Sequence, residues 1–295
     1  MELLQLQYFR TVARMEHMTR AAQELRIAQP ALSKTIARLE DDVGVPLFDR
    51  QNGRIRLNAF GRIFLHKVDA ALNLLEEAKR EVAELAGLEQ GNIRIATSTL
   101  AMLTEPIRRF LVLHPNVNMQ ITHASSQEEM AASIESGETD IGFSVMPLDG
   151  NGVARARVIS EELFLVVPRK HRLAGRPAVS LADAEGEPFV GYKEGFVVQE
   201  TNEALFRQAG IAPRFVCRVD EPAAVLSLVR AGLGVALFGC VNPDDPDLVY
   251  LPIERPVCRR DYWLVWPERR YLSLAARKFI GFAINHFTEE IRSVG

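Results

Sequence analysis

Residues 29–42 carry the side chains with the clearest chemical potential in this 295-residue chain. Leu32, Ile36 and Leu39 recur at intervals of four and three, which predicts a helix over residues 30–40 with one buried stripe. The opposite face is small, polar and basic, and comprises Pro30, Ser33, Lys34, Ala37 and Arg38, with Gln29 just before the helix. Small residues permit close approach, hydroxyl and amide groups can hydrogen-bond base edges, and cations can contact phosphates. This face therefore favours recognition of a DNA major groove over an ordinary solvated face, which normally carries Glu as well as Lys.

Two helices are predicted before this one. Residues 3–15 show an apolar helical stripe, and Thr19 is a good N-cap for a short helix over residues 20–25. Residues 26–28 form a tight connection to the basic helix. The order helix, helix, tight connection, basic helix predicts a helix-turn-helix.

A basic hairpin is predicted over residues 49–57. Asn52 and Gly53 are a strong signal for a two-residue turn, and Arg50, Arg54 and Arg56 lie on the flanking strands. Any exposed hairpin can carry charge. Its place directly after a recognition helix instead favours a wing that reaches the DNA backbone or minor groove.

A long helix is predicted over residues 60–88, where no proline occurs. Its apolar residues form an a/d heptad seam at Phe64, Val68, Ala71, Leu75, Ala78, Val82 and Leu85. A helix of about 28 residues is roughly 40 Å long, too long to pack well on a small head. We expect it to pair with a second copy, so that two heads read two half-sites; the alternative is that it lies on its own body. Gly87 and Gly91 are expected to end it.

Charge is distributed unevenly along the chain. Residues 1–68 carry eleven basic and seven acidic side chains, a net of +4, and the remainder carries −7, for a total of −3. A basic head on an acidic body is expected to meet a polyanion, whereas a globally basic coat for nucleic acid is excluded.

The composition is that of a soluble protein of about two domains, with 47% hydrophobic and 25% charged residues. Neither a signal peptide nor a membrane helix is expected. Cys217, Cys240 and Cys258 are widely spaced and include no CxxC, which indicates a reducing cytosol and opposes a disulfide framework or a zinc site.

Strands and helices alternate after residue 91, which predicts a parallel α/β sheet. The predicted strands are residues 92–97, 117–123, 140–145, 162–168, 189–192, 214–219, 235–238 and 262–266. The predicted helices are residues 98–114, 127–137, 199–209, 223–231 and 273–291, and a turn is predicted over residues 242–246.

Ligands of such sheets bind at the carboxyl ends of strands, near helix N-termini. Three segments there carry hydroxyl, amide or amino groups, namely residues 98–100, 125–127 and 192–198. They suit a small carboxylated ligand, to which Lys193 could add charge. Ordinary helix capping explains Ser98 and Ser126 equally well.

Catalytic motifs are incomplete in this chain. The six histidines show no metal-binding spacing, and there is no GxxxxGK[ST]. Gly232-Leu-Gly234 and Gly142-Phe-Ser144 resemble parts of a dinucleotide fingerprint and of a nucleophile elbow, but each lacks a further glycine. We expect turns or tight strand–helix contacts there, and no catalytic residue, metal or cofactor.

Several motifs closely resemble LysR-type transcriptional regulators. In the head they are Ala21-Ala-Gln-Glu-Leu25, Ala28-Gln-Pro-Ala-Leu-Ser33, Ile36-Ala-Arg-Leu-Glu40 and Gly44-Val-Pro-Leu-Phe-Asp-Arg50, and in the body Gly137-Glu-Thr-Asp-Ile-Gly142 and Val229-Arg-Ala-Gly-Leu-Gly-Val-Ala236. The resemblance covers nearly the whole chain.

The resemblance implies an α + α/β architecture. Its parts are a winged helix-turn-helix over residues 1–59, a linker and dimerisation helix over 60–88, and an effector-binding domain over 92–295 that resembles type 2 periplasmic binding proteins, with lobe I over 92–162 and 268–295 and lobe II over 163–267. It further implies a cytoplasmic, sequence-specific regulator that binds promoter DNA, forms homodimers through the linker helix and homotetramers, contacts RNA polymerase and takes a small anionic metabolite as co-inducer.

The family's functional positions match particular residues here. The DNA contacts match Thr19, Gln29, Pro30, Ser33, Lys34, Arg38, Arg50 and Arg54. The effector cleft matches Ser98, Thr99, Leu100, Gln127, Ser144, Tyr192, Phe196, Val197 and Val198. Two departures occur: Asn58 replaces the usual threonine after the wing but can still cap the linker helix, and Gln127 stands where members often carry serine, so relatives do not identify the effector.

Two rival functions are considered. An enzyme with a fused regulatory head needs a catalytic group in the cleft, where the sequence places only hydroxyls, one lysine and one amide. The solute-binding protein of a transporter is opposed by the basic head and by the expected lack of a signal peptide.

Overall fold

A computed structural model describes residues 1–51, 54–86, 91–148, 150, 152–240 and 242–294, with the backbone alone for Gln51, Arg54 and residues 290–294. The chain divides into two compact units, one within the first 89 residues and one comprising most of the remaining chain. They are called the head and the body and are described separately.

Three helices open the head: α1 (Leu3–Met15), α2 (Met18–Glu24) and α3 (Gln29–Val43). The prediction that Thr19 caps the second helix is wrong, because the His17 side chain accepts the capping hydrogen bond from the Arg20 amide at 3.3 Å. Thr19 lies in the first turn instead. Gln29 is likewise the first residue of α3 and not the residue before it, with Pro30 in the first turn, where its missing N–H costs no helical hydrogen bond.

The apolar stripe of α3 is buried as predicted. Leu32, Ile36 and Leu39 are fully buried and pack with Phe9 and Val12 of α1. A fully buried aliphatic side chain contributes about 1.5–3 kcal/mol to stability. This burial sets the rotation of α3 and turns its polar face outward.

A two-stranded antiparallel hairpin follows, formed by β1 (Phe48–Gln51) and β2 (Arg54–Leu57). Its register pairs Phe48 with Leu57 and Gln51 with Arg54. The turn predicted at Asn52 and Gly53 lies outside the described residues.

The linker helix is α4 (Ala59–Leu85). Asn58 caps it as predicted, since its side-chain oxygen accepts a hydrogen bond from the Gly61 amide at 2.8 Å. The predicted end at residue 88, with Gly87, lies outside the described residues.

The heptad seam of α4 has two parts. Val68 is buried in the core of the head together with Leu72, so the first part of the helix packs on the head, contrary to expectation. Leu75, Val82 and Leu85 are exposed, with 47%, 66% and 84% of their surface accessible. Only the second part of the seam therefore lacks a partner within the described head.

The body contains helices and strands in alternation. The helices are α5 (Thr104–Leu113), α6 (Gln127–Ser136), α7 (Val197–Ala209), α8 (Pro222–Arg230) and α9 (Leu274–Val294), with short 3-10 helices at Ala101–Leu103 and Leu181–Ala184. The strands are β3 (Asn92–Thr97), β4 (Asn118–His123), β5 (Ile141–Ser144), β6 (Val153–Pro168), β7 (Val179–Ser180), β8 (Pro188–Tyr192), β9 (Arg214–Val219), β10 (Ala236–Gly239), β11 (Leu248–Arg255) and β12 (Arg259–Pro267).

The bounds predicted for β3 and β9 are confirmed, and three predictions need correction. Residues 98–100 are irregular and not helical, and α5 begins at Thr104. The sequence prediction misses β7 and β11, and it misses the first nine residues of β6.

The prediction of a parallel sheet is correct only in part. Strand β3 is parallel to β4 and β5, and β8 is parallel to β9. Strand β12, however, is antiparallel to both β5 and β6, and β10 and β11 are antiparallel to β6. The sheet is mixed because the long antiparallel pair formed by β6 and β12 lies beside the parallel strands β3, β4 and β5.

These two strands connect the lobes of the body. Residues 153–162 of β6 pair with β12, whereas residues 163–168 pair with β10 and β11. Strand β12 already pairs with β5 of the first lobe from Trp263 on. The chain thus returns to the first lobe before the predicted boundary at 267/268.

Candidate functional sites

The outward face of α3 presents most of the residues predicted to contact DNA. Gln29, Pro30, Lys34 and Arg38 are exposed, and Ser33 is half-buried. Thr19 is exposed in the first turn of α2. The structure thus places donors, acceptors and two cations on one accessible helix surface.

The hairpin adds less free charge than its sequence suggests. The Arg50 guanidinium lies 3.0 Å from a Glu40 carboxylate oxygen, and the other oxygen of Glu40 accepts the Leu47 and Phe48 amides at 2.8 and 3.3 Å. Glu40 therefore joins the end of α3 to the start of the hairpin. The side chain of Arg54 lies outside the described residues.

Replacement of Glu40 tests this connection. We expect Glu40→Ala to lower the stability of the head by about 1–3 kcal/mol, because two amides lose their acceptor. Hydrogen exchange of the Leu47 and Phe48 amides should accelerate. Asp41→Ala removes an exposed carboxylate next to it and serves as the control; equal exchange rates in both variants would contradict the role of Glu40.

An apolar groove of about 580 Å³ runs between α1 and the exposed part of the α4 seam. It is lined by Leu3, Gln7 and Arg10 of α1 and by Leu72, Leu75, Glu76, Ala78, Lys79, Val82, Ala83 and Ala86 in and after α4. Its apolar walls and the exposed seam form a continuous surface suited to packing against another helix.

The body holds a cavity of about 600 Å³ between residues 98–102, α8 and the strands that connect the lobes. Five of the residues predicted for the effector cleft line it: Ser98, Thr99, Leu100, Tyr192 and Val198. Ser98 does not cap a helix; its hydroxyl is buried and has no hydrogen-bond partner.

The other four predicted residues are not among those that line the cavity. The Gln127 amide donates to the Pro147 carbonyl at 3.1 Å, and the Ser144 hydroxyl accepts from the Met146 amide at 3.3 Å. Val197 is buried at the start of α7. The Phe196 ring lies 6.0 Å from that of His123, which itself lines the cavity.

Two further predictions about polar groups are settled by their contacts. Lys193 is not among the residues that line the cavity, and its ammonium lies 2.6 Å from the Asp220 carboxylate. Ser126 caps α6, since its hydroxyl accepts the Glu129 amide at 3.1 Å. For Ser126, ordinary capping is therefore the correct interpretation.

The most polar part of the wall was missed by sequence reasoning. Glu161 of β6 and Arg260 of β12 are cross-strand partners, and their charged groups lie 3.8 Å apart. The Tyr262 hydroxyl donates to Glu161 at 2.6 Å, and Arg260 donates to the Asn202 side chain at 2.7 Å. Glu161 lies in the part of β6 that the sequence prediction missed, and Arg260 precedes the strand predicted over residues 262–266, so the predicted strand bounds concealed this cluster.

Two tyrosines beside this ion pair are held in the protonated form. Burial raises the pKa of Tyr192 to about 12. Burial also raises the pKa of Tyr262 well above its usual range. Both hydroxyls are thus hydrogen-bond donors at neutral pH.

The incomplete catalytic motifs are packing sites. Gly232 ends the turn after α8 with a φ of +81°, which favours glycine. At Gly234 a side chain would collide with the Pro188 carbonyl, and at Gly142 with Val265 and Met130. These glycines allow close approach of backbone and side chains, as predicted.

Comparison with known proteins gives two family matches. Residues 3–62 match the bacterial regulatory helix-turn-helix protein model of the lysR family, and residues 86–288 match the LysR substrate binding domain. No helix in the described part of the chain is long and apolar enough to cross a membrane.

Individual relatives match over nearly their whole length. The chain is 35% identical to the uncharacterized HTH-type transcriptional regulator YybE of Bacillus subtilis (strain 168), covering 98% of this chain and 100% of YybE. It is 32% identical to the transcriptional dual regulator GltC of the same organism, covering 98% of each. Crystal structures of CbnR, a LysR family transcriptional regulator, share the fold, with TM-scores of 0.74 alone and 0.72 in complex with its target DNA, each at 24% identity and over 97% or more of both chains.

A winged helix-turn-helix head, a long linker helix and a two-lobed body with an internal cavity define a DNA-binding regulator with an effector-binding domain. The two family matches span nearly all of the chain, and YybE exceeds 30% identity over its full length. The chain belongs to the LysR family of transcriptional regulators.

Proposed function

We propose that the head binds promoter DNA with α3 in the major groove. The residues assigned to this contact are Thr19, Gln29, Pro30, Ser33, Lys34, Arg38, Arg50 and Arg54. The observation that carries the proposal is the outward face of α3, where small, polar and basic side chains are accessible while the apolar stripe is buried. The crystal structure of CbnR with its target DNA supports DNA as the ligand of this fold.

The neutral and the basic residues of the DNA surface are assigned different tasks. Ser33 and Gln29 are neutral hydrogen-bonding residues and are suited to base edges, whereas Lys34 and Arg38 are suited to phosphates. Arg50 is assigned to a phosphate. Because Glu40 holds its guanidinium, Arg50 orients the hairpin on the DNA and adds little net positive charge.

The assembly is proposed to be a homotetramer built on homodimers that pair through α4. The exposed Leu75, Val82 and Leu85 and the groove beside them support this pairing, because an apolar surface of this kind is stable in water when a second helix covers it. Contact with RNA polymerase stays a prediction from the family resemblance.

The effector is proposed to be a small metabolite with a carboxylate, bound in the cavity of the body. The buried Ser98 hydroxyl and Arg260 guanidinium support an anionic group at this point. The ligand there contacts Glu161 and Arg260, which lie on the two strands that connect the lobes. Binding can therefore favour one relative orientation of the lobes and change the spacing or bend that the paired heads impose on DNA.

Substitutions on α3 test the DNA proposal. Lys34→Ala is expected to weaken binding to specific and unrelated duplexes alike and to reduce the salt dependence by about one phosphate contact. Ser33→Ala is expected to relax discrimination at one base pair, worth about 1–3 kcal/mol. Binding is measured by fluorescence anisotropy on duplexes from the regulated promoter and on scrambled duplexes, over a range of salt concentrations.

Lys67→Ala provides a matched control, because Lys67 is an exposed lysine of α4 outside the α3 surface. Its binding should equal that of the unmodified protein. Equal, sequence-independent losses for Lys34→Ala and Ser33→Ala would show that α3 does not read bases.

A further inference from the structure

The inner wall of the body cavity holds one buried ion pair of unusual geometry. Arg260 has 6% of its surface exposed, yet its guanidinium lies 3.8 Å from Glu161, too far for a direct hydrogen bond. Tyr192 lines the same cavity as both of these side chains. The two opposite charges are therefore close to each other, but no direct hydrogen bond joins them.

Two buried donors on this wall have no partner. They are Nε of Arg260 and the hydroxyl of Ser98, and both residues line the cavity. Leaving buried donors unpaired costs free energy, so native structures pair nearly all of them. A carboxylate in the cavity supplies acceptor oxygens of the kind that these donors lack.

A bare carboxylate would nevertheless upset the charge balance. The lining residues include Arg260 and Arg230 as cations and Glu161 and Glu221 as anions, and Arg230 already pairs with Asp245 at 2.8 Å. His123 also lines the cavity. An added carboxylate would lie near Glu161, whose side chain is only 12% exposed, and an unpaired charge is costly where charged groups are buried.

A second group of the ligand can restore this balance. The Glu161 carboxylate lies against Gly239, where a Cβ would collide with it, so glycine permits the carboxylate to sit at the cavity wall. Tyr262 and Arg260 approach only one of its two oxygens. The other oxygen can accept a hydrogen bond from a ligand ammonium.

The rest of the wall is mainly apolar. It includes Leu100, Met102, Val198, Pro222, Leu226 and Phe238. This surface complements an uncharged side chain, and the second lining cation, Arg230, is already paired with Asp245.

We infer that the cavity binds an α-amino acid with an apolar side chain, with Arg260 and Ser98 holding its carboxylate and Glu161 holding its ammonium. The inference rests on the proposed ligand-binding role of the cavity and replaces the predicted anionic ligand by a zwitterion. Glu161 and Arg260 are then the residues that determine specificity.

Matched compounds separate the two charges. The full-length protein is titrated calorimetrically with L-leucine and L-phenylalanine, with their des-amino acids 4-methylpentanoate and 3-phenylpropanoate, and with the corresponding amines isopentylamine and 2-phenylethylamine. At least one amino acid is expected to bind, and its des-amino acid and amine should each bind roughly tenfold more weakly or worse.

Two variants assign the contacts. Glu161→Gln keeps the size of the side chain and should lower amino-acid affinity roughly tenfold while leaving des-amino acid affinity unchanged or higher. Ser98→Ala should weaken both classes of carboxylate by a similar factor. The thermal midpoint of each unliganded variant is measured first, so that a folding defect is recognised.

The outcomes distinguish this inference from the proposal on which it rests. A des-amino acid that binds as tightly as its amino acid, or a Glu161→Gln variant that affects both equally, overturns the inference. If succinate or citrate binds and alters DNA affinity while no amino acid binds, the inference fails and the proposed function stands. If none of these compounds binds, the inference also fails.

Discussion

Replacing Leu75 and Val82 together by glutamate is expected to halve the number of chains in the assembly and to lower affinity for a two-half-site operator by about 10²–10⁴-fold. Both side chains are exposed in the head and line or flank the apolar groove beside α1. Glutamate at these positions places charge in a helix–helix interface without disturbing the core of the head. Two heads that are no longer joined bind their half-sites independently, so the gain from linkage is lost.

Sedimentation equilibrium and DNA titration measure the two effects. The mass should fall from four chains to two, because contacts between bodies would remain in the proposed tetramer. Binding to an isolated half-site should be unchanged, which shows that the variant heads are folded. Ile63→Glu is the control, since Ile63 is 67% exposed on the same helix but lies outside the seam and the groove. An unchanged mass for the double variant would place the dimer interface elsewhere.

Local periodicity was sufficient to predict the head. The spacing of Leu32, Ile36 and Leu39 determines which side of α3 is buried, and the polar face follows from the same geometry. The errors in the head concern the bounds and capping of α2 and α3 and the packing of the first part of α4 on the head. His17 rather than Thr19 caps α2, and a preference for hydroxyl caps cannot identify that case.

The cavity depends on contacts between distant parts of the chain. Glu161 and Arg260 are adjacent only because β6 and β12 pair along their length, and this pairing was hidden when the first half of β6 was missed. That half alternates Ala154 and Ala156 with Arg155 and Arg157, a period of two that the predicted sheet of short parallel strands did not require. By contrast, Ser98 directly follows a strand that was predicted and Tyr192 ends one, and both line the cavity.

This difference between head and cavity has a physical origin. A DNA-reading helix presents its chemistry on one element, so its sequence contains both the buried and the functional face. A cavity between lobes is lined by residues from several elements that are distant in the sequence, and only the tertiary structure brings them together. Sequence motifs in the body therefore report the packing of the scaffold more directly than they report ligand specificity.

The motif Gly137-Glu-Thr-Asp-Ile-Gly142 illustrates this scaffold role through Asp140. One Asp140 oxygen lies 2.6 Å from an Arg94 guanidinium nitrogen, and the other accepts the Arg94 backbone amide at 2.9 Å and its Nε at 3.1 Å. Asp140 is 3% exposed, so these bonds join β3 to the start of β5 from within the body. Residues 98–100, which line the cavity, directly follow β3.

Asp140→Ala is expected to lower the free energy of unfolding of the body by about 3–5 kcal/mol, because it leaves a partly buried guanidinium and a backbone amide without their acceptor. Arg94 retains 22% side-chain exposure, which favours the lower end of this range. Asp140→Asn keeps an oxygen for the amide and should lose less. Both tryptophans of the chain, Trp263 and Trp266, lie in β12, so their fluorescence during urea denaturation reports the body and not the head.

The control for this variant is Glu105→Ala, which removes an exposed carboxylate that pairs with Arg108 and Arg109 on α5. Exposed ion pairs contribute little, so its urea midpoint should match that of the unmodified protein. If Asp140→Ala also matched it, the Arg94–Asp140 contact would be dispensable and the motif would require another explanation. If Asp140→Ala lost stability but kept DNA affinity, the head would be shown to fold and bind independently of the integrity of the body.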